Sequence, residues 1–281
     1  MKNLLLFVLA ALTLVGCGSR TLEMRAATFN VRFDAEADAE GGNSWAERKG
    51  SVADVILQHD FDIVGTQEAN KDQMPELAEL LPGYDYIYHS YGIREGFHNC
   101  ATYYKRDKYE LLDQGTFWYS PTPEVESIGW DANDHRLCHW GKFRDKATNR
   151  EFFFFNSHLY WRLEEARSKS GGVLIEQVRK IAGDAPVIAV GDYNSREESP
   201  QVQDILTLLK DSYRISQSAP VGPVETDLGG GNFLGPAKAR IDFIFVSEGV
   251  QVKDYTVIDD KRDNGHYPSD HLPIVCSLVI E

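Results

Sequence analysis

Cysteine and basic residues are both scarce in this chain. Four cysteines occur in 281 residues, too scattered for a disulfide framework, and no pair has the spacing of a zinc site. Cys138 in "RLCHW" and Cys276 in "IVCSLVI" sit in runs that read as buried strand. Lys and Arg number 29 against 43 Asp and Glu, a formal charge of −14, so non-specific attraction to a polyanion is unfavourable. No basic stripe with interleaved aromatics occurs, which removes the usual footprint of single-strand binding. No Pro/Gly/Ser-rich or charge-rich linker divides the chain either. With 42% hydrophobic residues, one domain with a sizeable core is expected.

The N-terminus has a different organisation. In "MKNLLLFVLAALTLVGC" one Lys precedes an apolar run from Leu4 to Val15 and small residues before Cys17, the layout of a secretory signal rather than a membrane span. Leu14-Val15-Gly16-Cys17 resembles the bacterial lipobox. The expectation is a signal peptide over 1–16, lipidation of Cys17, a short tether over 17–23 and a single domain over 24–281. The protein would then be lipid-anchored in the cell envelope, on the periplasmic side or the outer surface, and monomeric.

Apolar periodicity alternates along the chain. "MRAATFNV" reads as a strand, and Ser44 with Glu47 forms a capping box for a helix over "SWAERKGSVADVILQHD". "FDIVGTQEA" reads as a buried strand and "KDQMPELAELLPG" as a helix. Five strands follow, from "YDYIYHS" to "EFFFFNSHL", then a helix over 164–182 that Gly171-Gly172 is expected to break. "PVIAVGDYNS", a helix from Ser199 to Lys210, and strands at "ARIDFIFVS", "VQVKDYTVI" and "PIVCSLVI" complete the order. One internal echo sets the architecture: "ATFNV", helix, "DIVGTQEA" is matched by "FFNSH", helix, "PVIAVGDYNS". Each unit is a strand ending in Phe-Asn (Asn30, Asn156), a crossover helix, and a strand ending in a carboxylate (Glu68, Asp192). Two such units imply an α/β fold of two packed mixed sheets flanked by helices, with both carboxylates at one edge.

Polar groups gather at the strand ends: Asn30, Glu68, His158, Asp192, Asn194, Asp242, Asp270 and His271. Carboxylates and carboxamides without cysteine are a hard-oxygen set suited to Mg²⁺ or Mn²⁺. The histidines beside them can steady a phosphoryl oxygen or move a proton near neutral pH. Together they describe metal-assisted attack of water on a phosphate ester. A phosphorylated small molecule or a phospholipid head group fits the acidic chain, and nucleic acid stays possible where metal ions neutralise the contact. Each residue also has a structural reading: Gly-Asp-x-Asn-Ser is good turn chemistry, Glu68 can start a helix, and Asp242 can be a satisfied buried Asp.

"TFNVRF", "GTQEA", "NSHL", "GDYNS", "RIDFIFVS" and "YPSDHLP" together resemble, in order and spacing, the endonuclease/exonuclease/phosphatase superfamily. The resemblance spans roughly residues 24 to 281, and "NSWAERK", "GTFWYSPTPE" and "GWDA" look closest to its secreted bacterial members. It implies a four-layer α/β/β/α sandwich and a set of roles. Glu68 would be the main metal ligand, with Asn30 and Asp270 around the same ion. Asp192 would orient or deprotonate the attacking water and Asn194 would bind the scissile phosphate. Asp242 would fix the tautomer of His271, and His158 would donate to the phosphoryl oxygen.

Substrate contacts are expected at Arg136, Asn156 and Trp130. Arg136 can hold a phosphate bidentately or pair with a nearby Asp, and the loop carrying Trp118, Tyr119 and Trp130 can stack a sugar or inositol ring or simply pack. Where secreted bacterial relatives continue Phe-Asp-His, this chain continues Leu159-Tyr160-Trp161, which is similar to the deadenylase branch. "ETDLGGGNFLG" and His98 also depart from the family pattern. The function expected is a divalent-metal-dependent phosphohydrolase of mono- or diesters; a nuclease with the same site and a catalytically silent binding module are the alternatives.

Overall fold

The computed structural model describes residues 21–89 and 99–281. Residues 1–16, Cys17 and His98 lie outside them. The elements run β1 (Leu22–Asn30), α1 (Glu36–Ala39), α2 (Trp45–Gln58), β2 (Ile63–Ala69), α3 (Gln73–Leu80), β3 (Tyr84–Ile87), β4 (Asn99–Lys105), β5 (Tyr109–Trp118), β6 (Leu137–Asp145) and β7 (Glu151–His158). There follow α4 (Glu164–Ala182), β8 (Val187–Asp192), α5 (Pro200–Leu206), β9 (Lys210–Asp211), α6 (Ser212–Ile215), β10 (Asp242–Val246), β11 (Val250–Val257) and β12 (Ile274–Ile280). One six-stranded sheet has the order β11-β12-β1-β2-β4-β3 and the other β5-β6-β7-β8-β10-β9. Each is mixed, with a single parallel pair at its centre: β1 with β2, and β7 with β8. No helix among the described residues is long and apolar enough to cross a membrane.

Strand parity builds the layers. Met24, Ala26, Phe152, Phe154, Ile188, Val190, Ile244 and Val246 point between the sheets and form the central core. The alternate residues point outward: Ala27, Phe29 and Val64 pack under Val52, Ile56 and Leu77 of α2 and α3. Phe153, Phe155, Ala189 and Phe245 pack under Leu174, Val178 and Ile205 of α4 and α5. The four-layer α/β/β/α sandwich therefore follows from two apolar faces on every central strand. Glu47 does accept from the Ser44 N–H at 3.0 Å, closing the N-terminus of α2, and Cys100, Cys138 and Cys276 are buried free thiols.

Two helices differ from expectation. The helix expected from Ser199 to Lys210 stops at Leu206, because Lys210 and Asp211 pair with Val246 and Phe245 as an edge strand. Gly171-Gly172 does not break α4, which runs unbroken from Glu164 to Ala182. The reason is packing against α5: a Cβ at Gly171 would lie 2.1 Å from the Gln201 carbonyl oxygen. At Gly172 the nearest atom would be an Asp204 carboxylate oxygen 3.9 Å away. Ala gains about 1 kcal/mol over Gly in a helix interior, but forcing two backbones apart costs about 1–3 kcal/mol. Gly171→Ala is therefore expected to lower the unfolding free energy by about 1–2 kcal/mol while Gly172→Ala raises it by about 0.5–1 kcal/mol. Equal urea midpoints for the two variants would refute this account.

Candidate active site

Parity also assembles the site. Asn30, His158, Asp192 and Asp242 are the residues two further along from Thr28, Asn156, Val190 and (in the antiparallel β10) Ile244, so each faces the gap between the sheets at the same end. Glu68 is out of phase with the inward Ile63. A register shift between Thr66 and Ala69 and a left-handed backbone at Glu68 (φ 69°) turn its carboxylate back into the gap. Arg32 (φ 58°) and Asn194 (φ 48°) have the same rare conformation. All three line one cavity of about 550 Å³, the kind of place where proteins keep such strain.

The polar groups interlock. Asn30 Nδ2 donates to Glu68 Oε1 at 3.1 Å and to Asp192 Oδ2 at 3.0 Å, while its Oδ1 accepts from the Arg32 N–H at 3.0 Å. Asn30 thus spaces two carboxylates. His271 Nδ1 lies 2.9 Å from Asp242 Oδ2, which also accepts from Thr226 Oγ1. His271 Nε2 and His158 Nε2 approach Asp192 Oδ2 at 3.8 and 3.6 Å. Asp192 Oδ1 accepts from the Asn194 N–H at 2.8 Å, and Asn194 Nδ2 donates to the Leu159 carbonyl at 3.0 Å. The segment makes the turn, and Asp192 and Asn194 both line the cavity.

Burial, with the negative charge of Asp242 beside it, raises the Asp192 carboxyl to about 8, an effect His271 offsets only in part. Burial pulls the His271 imidazolium down, but Asp242 and Asp192 outweigh it and raise it well above the ordinary value. Donor atoms of Glu68, His158 and Asp192 lie within 4.8 Å of one another, as do those of Asp192, Asp242 and His271. Crowded buried carboxylates of this kind are relieved by a hard divalent cation, so the donor set fits one. Asp270 is spent differently: its Oδ2 accepts from the Gly231 N–H at 2.7 Å and faces Arg32 Nη1 at 3.6 Å, and it belongs to neither group of donors.

Of the expected substrate contacts, the structure brings one to the cavity. Arg136 lines it at 5% exposure, with Nε and Nη1 lacking any hydrogen-bond partner and the guanidinium 5.8 Å from the Tyr160 ring. No carboxylate pairs with it among the described residues. Asn156 is a correction. It is 0% exposed, donates to the Thr66 and Ala101 carbonyls and accepts from Gln67 Nε2, pinning one sheet to the other. The Phe-Asn echo is out of step by one inward pair: β7 continues to His158, which lies opposite Asp192. Trp130 is also displaced from the cavity wall, its ring under Lys169. Trp161, 56% exposed, takes a place on the wall, along with Arg32, Asn133 and Asp227. Arg32 lies within "TFNVRF", Trp161 just beyond "NSHL" and Asp227 in "ETDLGGG", but loop residues carry no periodic signal that would single them out.

The sequence model of the Endonuclease/Exonuclease/phosphatase family matches residues 27–271. Among solved structures, an endonuclease/exonuclease/phosphatase family protein of Bacteroides thetaiotaomicron superposes with a TM-score of 0.86 at 33% identity, covering 93% of this chain and 99% of that one. A mannosyl-6-phosphatase of Bacteroides thetaiotaomicron VPI-5482 does so with 0.84 at 34% identity, covering 92% and 100%. Nocturnin of Drosophila melanogaster is 27% identical over 181 residues, 58% of this chain. The chain spans about a quarter of that relative's length (26%).

Proposed function

Since the chain belongs to the endonuclease/exonuclease/phosphatase family, we propose that it is a divalent-metal-dependent phosphohydrolase acting on a phosphomonoester of a neutral, hydroxylated small molecule such as a sugar. Arg136 is the observation that carries this reading. A buried guanidinium with idle donors calls for an anion, and the cavity offers one such cation: Arg32, the other arginine on the wall, is already engaged by Asp38 and Asp270. Asp134 and Asp227 on the remaining wall would repel a second phosphate. The mannosyl-6-phosphatase neighbour supports the same class.

The residues divide the work as follows. A divalent cation held by Glu68 with Asp192 and His158, Mg²⁺ or Mn²⁺ by its oxygen donors, would polarise the phosphoryl oxygens and neutralise their charge. Asp192 Oδ2 takes the proton of the attacking water. His271, oriented through Nδ1 by Asp242, donates from Nε2 as charge develops, and Arg136 holds the phosphoryl group. Trp161 and Asn133 face the leaving group.

We also propose that Cys17 carries a lipid in the cell envelope. β1 enters at Leu22 and delivers Asn30 to the site, so roughly 26 Å of strand separates the anchored end from the cavity. A cavity at that distance from the anchored end favours a soluble ester over a phospholipid head group.

Chelated protein reloaded with Mg²⁺ or Mn²⁺ should release inorganic phosphate from hexose phosphates and spare RNA, DNA and a nitrophenyl phosphodiester. Full activity in excess EDTA would overturn the metal dependence. Selective cleavage of RNA would favour the nuclease reading, for which Trp161 supplies a stacking surface.

A further inference from the structure

Arg48 of α2 is 0% exposed, and no carboxylate hydrogen-bonds its guanidinium among the described residues. Its donors all go to main-chain carbonyls. Nε donates to Asn43 at 3.0 Å, Nη1 to Val31 and to Pro268 at 3.2 Å, and Nη2 to Arg32 at 2.7 Å and Phe33 at 3.2 Å. Trp45 and Phe233 cover the group from rings 5.2 and 5.4 Å away. Burial lowers its pKa to about 10, so it is charged at neutral pH. Asp270 and Asp38 are near enough to oppose that shift, but a buried cation that no carboxylate contacts directly is a poor way to stabilise a fold, since an apolar side chain of similar volume is often as good or better. Its targets explain why the group is there.

Val31, Arg32 and Phe33 directly follow Asn30, and Pro268 directly precedes Ser269, Asp270 and His271. One guanidinium therefore clasps the two segments that flank the cavity from opposite ends of the chain. Those segments touch the acids at several points. The Phe33 N–H faces Glu68 Oε2 at 3.4 Å, Arg32 faces Asp270, and Ser269 Oγ donates to the Asn30 carbonyl at 2.7 Å. Arg48 itself does not line the cavity. We infer that Arg48 is a positioning residue: four of its five hydrogen bonds fix residues 31–33 against Pro268, and so hold Glu68, and through Asn30 also Asp192, in the spacing that a divalent cation requires, with His271 in place beside them. Lys carries the charge but not the fork, so charge alone does not replace it.

This inference rests on the metal site proposed above, and the test separates the two. Mn²⁺ binding is measured by titration calorimetry on the full chain, alongside thermal midpoints, for the wild type, Arg48→Met and Arg48→Lys. Both variants are expected to bind Mn²⁺ at least tenfold more weakly. With Mn²⁺ saturating, kcat should fall roughly 100-fold while KM moves less than threefold, because Arg48 touches no substrate. If Arg48→Met does not fold, Arg48→Lys carries the test. A lowered midpoint with Mn²⁺ affinity and saturated kcat within twofold of wild type would overturn the inference and leave Arg48 a stabilising residue only. Failure of the wild type to bind Mn²⁺ would instead overturn the metal site.

Discussion

Asp192→Asn is expected to lower kcat by about 10⁴-fold, close to 5.5 kcal/mol of barrier. The substitution keeps the shape of the side chain. Its one remaining oxygen can still accept from the Asn194 N–H, which reaches Asp192 Oδ1 at 2.8 Å, while Asn30 Nδ2 loses the bond it makes to Oδ2 at 3.0 Å and keeps the one to Glu68 Oε1. What disappears is the negative charge that would hold the cation and receive the proton of water. The charge is costly to the fold, because Asp192 is buried beside Asp242 and Glu68. Removing it should leave the unfolding free energy unchanged or about 1–2 kcal/mol higher, as when a functional site is relieved of strain. Steady-state kinetics and urea unfolding on one preparation decide the matter. A variant within tenfold of wild type would remove Asp192 from the mechanism, and one that lost both activity and stability would make it a structural residue.

The second large effect is expected at Arg136. Arg136→Met should lower kcat/KM for a phosphomonoester by about 10²–10³-fold, the worth of a buried bidentate contact to phosphate. Arg136→Lys should fall between, since an ammonium cannot offer two parallel donors. Stability should again hold, because Nε and Nη1 make no hydrogen bond that Met would break. An unchanged kcat/KM would leave the buried guanidinium without a ligand, and with it would go the argument that the cavity accepts a single phosphate.

How much of this was legible in the sequence depended on periodicity. Asn30, Asp192 and Asp242 stand where apolar alternation stops, and their inward direction could be counted from Met24, Val190 and Ile244. The same counting, carried two residues further along β7, would have placed Asn156 one layer beneath His158 and so kept it from substrate. Glu68 was found by its place at a strand end and not by phase, because a bulge reverses its direction and no propensity announces a bulge. Arg32 and Arg48 act through loops and carbonyls, where neither period nor composition leaves a mark. Gly171 read as a helix breaker because its local cost was visible and the close approach of Gln201, 30 residues away, was not. The lost Asp of the family pattern at Tyr160 proved informative only beside Arg136, whose guanidinium the ring faces.

One strand pairing bears on how the molecule is made. β1 lies between β2 and β12, and its partners on one side, from Ile274 to Ile280, are joined some 250 positions after it, Leu22 opposite Ile280. During synthesis β1 can dock on β2 early, yet its other edge stays open until residues 274–280 leave the ribosome. An unpaired apolar edge exposed for that long is a template for aggregation, and pairing over so great a separation is slow. Chains that stop short of residues 274–280 would thus be sticky and inactive rather than partly active. A cell making this protein in quantity would have reason to keep the nascent N-terminal half in the care of a chaperone until the final strand arrives.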